Sequence, residues 1–161
     1  MNILANSIRP KTLDDVLGQE HLIGKGKVLR NLIENKKMFS LILYGTPGIG
    51  KTTLAKVIAN EMDMPYEFLN ATQNNKDDFL RAINDARLSG EKIIIIDEIH
   101  RMNKDKQDIL LPYLESGTVI LIGLTTSNPF IKVNPAIRSR CTIFELKALS
   151  KEDIKKGLEK A

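Results

Sequence analysis

Residues 45–52 read Gly45-Thr46-Pro47-Gly48-Ile49-Gly50-Lys51-Thr52 and match the pattern G-x-x-x-x-G-K-[ST]. An apolar run at residues 40–44 precedes them and predicts a buried strand, and apolar residues at helical spacing follow them. Glycines let backbone N–H groups turn inward around phosphate oxygens, and the following helix adds its positive amino-terminal end. An ordinary glycine-rich turn would explain neither the strand nor the helix. The segment therefore predicts a phosphate-binding loop, in which Lys51 reaches the β- and γ-phosphates and the Thr52 hydroxyl binds Mg²⁺.

A pair of carboxylates, Asp97 and Glu98, directly follows the four apolar residues Ile93 to Ile96. A buried strand would carry this pair to the edge of the sheet where the phosphate loop also opens. There Asp97 would hold Mg²⁺ through water, and Glu98 would orient and polarise an attacking water molecule. Many strands end in a solvated acidic residue, so the pair alone does not indicate a catalytic site. The interpretation depends on the phosphate loop, which precedes the pair by the length of one helix–strand–helix unit.

Short apolar runs alternate with amphipathic stretches along the chain. The runs lie at residues 40–44, 66–69, 93–97, 118–125 and 142–146. Five strands with helices between them predict an α/β fold with a mostly parallel, doubly wound sheet. In such sheets ligands bind beyond the carboxyl ends of the strands.

Local signals predict where particular helices begin and end. Asn103 is a candidate N-cap, and Ser116-Gly117 is a candidate stop for the same helix. Pro112 inside that helix is expected to kink it. Ser150-Lys151-Glu152-Asp153 reads as a capping box that opens a further helix near the end of the sequence.

Length and composition bound the class of protein. The chain has 161 residues, of which 42% are hydrophobic, so one domain with a substantial core is expected. A net charge of +4 permits a phosphate-rich partner without requiring one. One cysteine, Cys141, excludes an internal disulfide and a cysteine-built zinc site, and two histidines argue against a histidine-rich metal centre. Without a long apolar segment or a secretion signal, we expect a cytoplasmic protein with no membrane partner.

Several motifs together resemble one known family. The sequence resembles the AAA+ ATPase core of the clamp-loader-like clade, specifically the bacterial replication-associated recombination protein A family, whose eukaryotic relative is the Werner helicase-interacting ATPase. The most specific matches are Asp97-Glu98-Ile99-His100-Arg101 and Asn134-Pro135-Ala136-Ile137-Arg138-Ser139-Arg140. Further matches lie at residues 9–10, 13–22, 40–54, 107–112 and 125–141, so the resemblance covers nearly the whole chain.

The resemblance implies a P-loop NTPase that binds ATP or ADP with Mg²⁺ and hydrolyses ATP in DNA replication, recombination or repair. Residues 1–148 would form the large α/β subdomain with an amino-terminal strap on the adenine side, and residues 149–161 the start of a truncated helical lid. Forked or single-stranded DNA is the implied partner, and the nucleoid the implied location. The full-length family assembles as homo-oligomers, whereas this chain alone is expected to be a monomer.

The resemblance also assigns roles to individual residues. The strap residues Arg9, Pro10, Leu17, Gly18 and Gln19 match the segment that packs on adenine, although backbone contacts of a plain strap would look the same in sequence. The phosphate loop and the helix that follows would bind the nucleotide through Gly45, Pro47, Gly48, Ile49, Gly50, Lys51, Thr52 and Thr53.

Two further residues match catalytic positions of the family. Asn128 matches sensor 1, the polar residue that senses the γ-phosphate, with Thr126 as the alternative occupant and a turn residue before Pro129 as the plain interpretation. Arg140 matches the arginine finger that such ATPases insert into a neighbouring subunit's site. The alternative for Arg140 is a surface salt bridge, and the nearby Arg138 complicates the assignment.

Two rival functions remain. A protein-unfolding AAA+ motor usually carries an aromatic pore loop after the second strand, whereas this chain has Asn70-Ala71-Thr72-Gln73-Asn74-Asn75. A nucleotide-binding module without appreciable turnover is the second rival. Members of the family have a helical lid with a second sensor arginine and an oligomerisation domain. This chain is expected to carry only the first lid helix, through natural truncation or as a fragment, and the missing parts favour this rival.

Other polar residues have plainer interpretations. His100 is expected to be a hydrogen-bonded positioning residue, and Cys141 a small buried apolar residue. The basic cluster Lys25, Lys27, Arg30, Lys36 and Lys37 indicates either a solvated helix face or a DNA patch.

Overall fold

One parallel sheet forms the centre of the computed structural model, which describes residues 10–37 and 39–160. Its five strands are β1 (Leu41–Tyr44), β2 (Tyr66–Asn70), β3 (Lys92–Asp97), β4 (Val119–Thr125) and β5 (Thr142–Glu145). They lie in the order β2-β3-β4-β1-β5, and every pair of neighbours is parallel. The predicted five-stranded α/β sheet is confirmed.

Helices connect the strands and cover both faces of the sheet. They are α1 (Glu20–Ile23), α2 (Val28–Glu34), α3 (Lys51–Glu61), α4 (Lys76–Ser89), α5 (Lys104–Ser116), α6 (Pro129–Lys132), α7 (Pro135–Arg138) and α8 (Lys151–Lys160). Two short 3₁₀ turns lie at Leu13–Asp15 and Ile99–Arg101. Within the described residues, no helix combines the length and the apolar character needed to cross a bilayer.

The four isoleucines of β3 show how the core is divided. Ile93 and Ile95 belong to the apolar cluster that α2 and α3 form on one face of the sheet. Ile94 and Ile96 belong to the second cluster, on the other face, with α4 and α5. Alternate residues of a strand point to opposite faces, so a strand buried on both faces must be apolar throughout. This is why the polar residues of β3 can appear only at its ends.

The helix caps agree with the sequence signals. Asn103 accepts a hydrogen bond from the Lys106 N–H over 2.9 Å at the start of α5, and Gly117 ends that helix at φ +79°. Ser150 Oγ accepts from the Asp153 N–H over 3.1 Å and Asp153 accepts from the Ser150 N–H over 3.0 Å, which is the predicted capping box. The helix α5 continues through Pro112, and the kink there stays a prediction.

The amino-terminal strap is anchored by an arginine of the basic cluster. Arg30 of α2 binds Asp14 over 2.6 Å, Glu34 over 2.8 Å and the carbonyl oxygen of Ile23 over 3.0 Å. Its side chain is only 13% exposed, so this member of the cluster ties the 3₁₀ turn of the strap to α2 rather than facing solvent.

Candidate functional site

The candidate site lies where the carboxyl ends of four strands, β1 to β4, meet. Tyr44 at the end of β1 pairs with Thr125 at the end of β4, and Asn70 at the end of β2 pairs with Asp97 at the end of β3. The phosphate loop follows β1 directly, with its Gly45 N–H donating to the Thr125 carbonyl over 3.2 Å. The sheet therefore brings the loop and the acidic pair to one edge.

Two glycines shape the loop through their backbone conformation. Gly48 has φ +77° and Gly50 has φ +100°, a region that residues with a Cβ rarely adopt. A Cβ at either position would meet no atom within 4 Å, so the requirement comes from the backbone angles rather than from crowding. Gly50 is also the residue before α3, whose Leu54 N–H donates to the Gly50 carbonyl over 2.9 Å.

Lys51, the first residue of α3, is buried inside this loop. Its Nζ atom donates hydrogen bonds to the carbonyl oxygens of Gly45 over 2.7 Å and Thr46 over 2.9 Å. Burial lowers the pKa of Lys51 below its ordinary value, and the nearby Asp97 carboxylate acts in the opposite direction. Thr52 and Thr53 follow in the first turn of α3 with exposed side chains.

A small cavity adjoins the phosphate loop and has a volume of about 210 Å³. It is lined by Pro10, Val16, Leu17, Gln19, Gly48, Ile49, Gly50, Thr53, Leu54, Leu146 and Leu149. The fold thus brings three of the strap residues singled out in the sequence to the loop. Gly18 is not part of this lining, although a Cβ there would lie 2.7 Å from Leu149 Cδ2. Arg9 lies outside the described residues.

Gln19 connects the strap to the segment after β5. Its Nε2 donates to the Lys147 carbonyl over 2.8 Å, and its Oε1 accepts from the Lys147 N–H over 2.9 Å. The residue is buried and has φ +59°. Leu17 of the strap also contacts α8, because a Cβ on Gly157 would lie 2.6 Å from Leu17 Cδ1. The strap is therefore held between the cavity and the last helix.

The acidic pair has a fixed geometry. Asp97 Oδ1 accepts from the Glu98 N–H over 2.8 Å. Glu98 has φ +53°, an uncommon conformation for a residue other than glycine and one that is frequent at functional sites. Its Oε2 accepts a hydrogen bond from the Thr72 hydroxyl over 3.0 Å. The same hydroxyl lies 2.8 Å from Asn70 Oδ1, so one proton faces two acceptors.

Sequence reasoning missed two threonines at this edge. The first is Thr72, whose hydroxyl contacts Glu98. The second is the buried Thr125, whose Oγ1 atom lies 2.7 Å from His100 Nδ1. Burial lowers the pKa of His100, and Arg101 lowers it further, against the opposing effect of the two carboxylates. A polar residue that ends an otherwise apolar strand was the available signal for Thr125. The expected positioning role of His100 fits this hydrogen bond.

Asn128 and Thr126 lie just after β4. The Asn128 side-chain oxygen accepts from the Phe130 N–H over 3.0 Å and so caps the short helix α6. Arg138 donates to the carbonyl oxygens of Pro129 and Phe130 and holds the same turn. Thr126 is exposed directly after the strand. The capping bond uses the amide oxygen of Asn128, and the amide nitrogen is the atom of this side chain that can donate to a phosphate oxygen.

Arg140 lies at the opposite edge of the sheet. It precedes β5, whose first residue pairs with the first residue of β1, whereas the phosphate loop follows the last residue of β1. Four residues of strand separate the two edges by about 13 Å. Its guanidinium donates to the Ala136 carbonyl over 2.7 Å and forms an ion pair with Glu115. Arg140 is therefore remote from the phosphate loop of its own chain.

Cys141, the residue before β5, carries no sign of reactivity. Burial raises the pKa of its thiol to about 12, so the thiol stays protonated near neutral pH. The expectation of a small buried apolar residue is right about its apolar packing, but Cys141 is half-buried, at the margin of the core, rather than fully buried.

Comparison with known proteins gives matches along nearly the whole chain. The family described as the Holliday junction DNA helicase RuvB P-loop domain matches residues 8–138. Replication-associated recombination protein A from Bacillus subtilis is 49% identical over 161 residues, which is 100% of this chain and 38% of that protein. The protein of the same name from Escherichia coli K12 is 43% identical and is covered to 36%, and ATPase WRNIP1 from Dictyostelium discoideum is 43% identical and is covered to 18%.

Solved structures show the same fold. A variant of Thermotoga maritima RuvB matches with a TM-score of 0.80 at 28% identity, over 96% of this chain and 54% of that chain. The Thermotoga maritima RuvB Holliday junction branch migration motor matches with a TM-score of 0.74, also at 28% identity, over 94% and 53%. This chain spans less than two fifths of the curated relatives named above. It belongs to the AAA+ P-loop ATPase family of recombination and repair that includes replication-associated recombination protein A and WRNIP1.

Proposed function

We propose that this chain is the Mg²⁺-dependent, ATP-hydrolysing core of an ATPase that acts in replication-fork maintenance, recombination or repair. The observation that carries the proposal is the convergence of the Lys51 loop and the Asp97–Glu98 pair at one edge of the sheet. A phosphate cradle beside two carboxylates can hold a nucleotide and direct water to its terminal phosphate.

The nucleotide would lie along the loop with its base in the adjoining cavity. Loop N–H groups would surround the phosphates, and the Lys51 ammonium would exchange the Gly45 and Thr46 carbonyls for phosphate oxygens. Pro10, Leu17 and Gln19 would form the wall for adenine, since they line the cavity beside the loop. Arg9 and Gly18 belong to the same strap, and neither is assigned a contact with the nucleotide.

The residues present suit Mg²⁺. The Thr52 hydroxyl and the Asp97 carboxylate are oxygen ligands of the kind that Mg²⁺ prefers. Within the described residues, no group of three or more histidine, cysteine or acidic side chains could hold a metal without the nucleotide. That composition fits an ion bound mostly by phosphates and water. When bound, Mg²⁺ would neutralise charge on the β- and γ-phosphates.

Glu98 is the proposed general base. Its Oε2 is engaged by the Thr72 hydroxyl, and its other carboxylate oxygen would accept the proton of the attacking water. Asn128, or Thr126 in its place, would contact the γ-phosphate as sensor 1. The amide nitrogen of Asn128 is the atom suited to this contact, because a phosphate oxygen accepts hydrogen bonds and only the amide N–H groups of this side chain can donate.

Arg140 would act in a neighbouring subunit. Its position at the far edge of the sheet keeps it away from the loop of its own chain, as a finger that works between subunits requires. The relatives' names refer to recombination and to a Holliday junction helicase, so we propose forked or single-stranded DNA as the partner, homo-oligomeric assembly for the full-length protein and a nucleoid-associated cytoplasmic location.

A nucleotide-binding module with little turnover is the second candidate. It is favoured by the position of Arg140, which lies away from the phosphate loop of the same chain. Measuring Mg²⁺-ATP turnover against chain concentration, with and without forked DNA, separates the two candidates. Turnover that rises with concentration and with DNA supports the ATPase, whereas calorimetric ATP binding without turnover under any condition supports the module.

A further inference from the structure

Lys106 is a buried lysine that the proposed reaction does not use. It lies in the first turn of α5 and is only 8% exposed. Its Nζ donates a hydrogen bond over 2.9 Å to the carbonyl oxygen of Ala71, 35 positions away in sequence, and lies 5.4 Å from the centre of the Phe79 ring. Burying an ammonium is costly unless it is paired or hydrogen-bonded, and an apolar side chain would fill the same space. The position of this charge therefore calls for an explanation.

Ala71 is bonded to both ends of the segment that carries Glu98. Its N–H donates to the Asp97 carbonyl over 3.0 Å, and its carbonyl accepts from Lys106. Residues 97–106 thus form a closed loop that runs from the end of β3 into the first turn of α5. Its first and last residues are both hydrogen-bonded to Ala71, the residue after β2. Glu98, at φ +53°, lies inside this loop, and such a conformation persists only where surrounding bonds hold it.

Thr72 connects this fastening to the carboxylate. It is the neighbour of Ala71, its hydroxyl donates to Glu98 Oε2 over 3.0 Å, and its N–H donates to Asn70 Oδ1 over 2.9 Å. A shift of the Ala71 peptide would move the Thr72 hydroxyl directly, because the two residues share one peptide bond. The Lys106 bond is therefore one step removed from the side chain that contacts the proposed base.

We propose that Lys106 is a positioning residue for Glu98, acting by holding the Ala71 carbonyl and so fixing the Thr72 hydroxyl against the Glu98 carboxylate. The proposal rests on the proposed function, since it assigns to Lys106 an effect on the hydrolytic step. Lys106 contacts neither nucleotide nor water in this role. Its effect is expected on kcat rather than on nucleotide binding.

The test replaces the ammonium with an apolar group of similar length, Lys106→Met. We expect kcat for ATP to fall about tenfold, as small misplacements of catalytic groups do, with KM within about twofold of the parent. Thr72→Val should lower kcat to a similar extent, and the double variant should be no slower than either single variant, because both changes remove one pathway. Lys104→Met, an exposed lysine in the same helical turn, is the matched control and should leave kcat unchanged.

A second readout needs no turnover. Amide hydrogen exchange at Thr72 and Gln73, whose N–H groups both donate to Asn70 Oδ1, should accelerate in Lys106→Met and not in Lys104→Met. If Lys106→Met fails to fold, Lys106→Gln, whose shorter side chain withdraws the donor from Ala71, should show the same two effects. Multiplying losses in the double variant, or unchanged exchange at Thr72 and Gln73, would overturn the proposal. If the parent hydrolyses no ATP, the proposed function fails, while the exchange data still decide whether Lys106 fixes this segment.

Discussion

The Nζ atom of Lys51 lies 2.7 Å from the carbonyl oxygen of Gly45, so the lysine of the phosphate loop is bonded to the residue that opens its own loop. Together with the Thr46 carbonyl, this contact gives a buried ammonium two neutral acceptors. A phosphate oxygen is charged and forms the stronger hydrogen bond. We therefore expect nucleotide binding to exchange weaker bonds for stronger ones at this atom.

The first prediction concerns this exchange. Lys51→Ala should weaken ATP affinity by at least about 30-fold, because a charge-assisted hydrogen bond contributes roughly 1.5–3 kcal/mol and Lys51 offers more than one such bond. Isothermal titration calorimetry with Mg²⁺-ATP measures the change. Lys56→Ala is the control, since Lys56 is an exposed lysine of the same helix that lies near the Phe68 ring, away from the loop. Equal affinities for Lys51→Ala and the parent would contradict the assignment of the loop.

The second prediction separates binding from chemistry. Glu98→Gln should retain ATP affinity and lose turnover, because an amide cannot accept the proton of the attacking water. The glutamine can still receive the Thr72 hydroxyl bond through its oxygen, so the local geometry is kept. Calorimetry and phosphate release on the same preparation make the comparison. Hydrolysis at the parental rate would place the base elsewhere.

The third prediction concerns Asp97. Asp97→Asn removes one negative charge beside Lys51 and retains an oxygen that can accept the Glu98 N–H bond. We expect ATP binding to need a higher Mg²⁺ concentration, because a carboxylate is a stronger partner than an amide for this ion and its bound water. Titrating Mg²⁺ at fixed ATP measures the shift. An unchanged Mg²⁺ midpoint would remove Asp97 from the metal site.

The order of the elements could be predicted from the sequence because its signals are local. The apolar run of β3 and the caps at Asn103 and Ser150 each depend on residues a few positions apart. The contacts of Gln19 with Lys147 and of Thr72 with Glu98 span 128 and 26 positions. Such contacts exist only once strand order and register are set, and neither follows from periodicity. The phosphate loop was recognisable because its chemistry is contained in eight consecutive residues.

The fourth prediction is a pH dependence of stability caused by His100. The pKa of His100 is lowered in the folded state, chiefly by burial. At pH values between this folded-state pKa and about 6.5, the unfolded chain therefore binds more protons than the folded one. The free energy of unfolding should therefore fall as the pH drops below about 6.5, and this contribution should level off below the folded pKa. His100→Asn, which keeps a polar group toward Thr125, should lose this part of the dependence. Urea denaturation at several pH values compares the two proteins, and identical profiles would contradict the prediction.

The last prediction concerns the action of Arg140 between subunits. In one chain, the phosphate loop follows the end of β1, whereas Arg140 lies at the edge where β1 begins. The site of a lone chain therefore lacks the arginine charge that would join Lys51 in stabilising the transition state at the γ-phosphate. Such arginines raise the rate by factors of about 10³ to 10⁵ in other phosphoryl-transfer enzymes. We expect slow hydrolysis by the dilute chain, with a specific activity that rises with chain concentration.

Mixing two inactive variants tests this directly. An Arg140→Ala chain keeps its nucleotide site and lacks the arginine, and a Lys51→Ala chain keeps the arginine and lacks the site. If Arg140 completes a neighbour's site, the mixture should hydrolyse ATP faster than the sum of the two chains measured alone. Arg138→Ala is the matched control, because Arg138 bonds the carbonyls of the α6 turn. The Arg138→Ala chain keeps its own Arg140, so its mixture with the Arg140→Ala chain should still hydrolyse ATP. Fast, concentration-independent turnover by the dilute parent chain would leave Arg140 with only its structural bonds to Glu115 and Ala136.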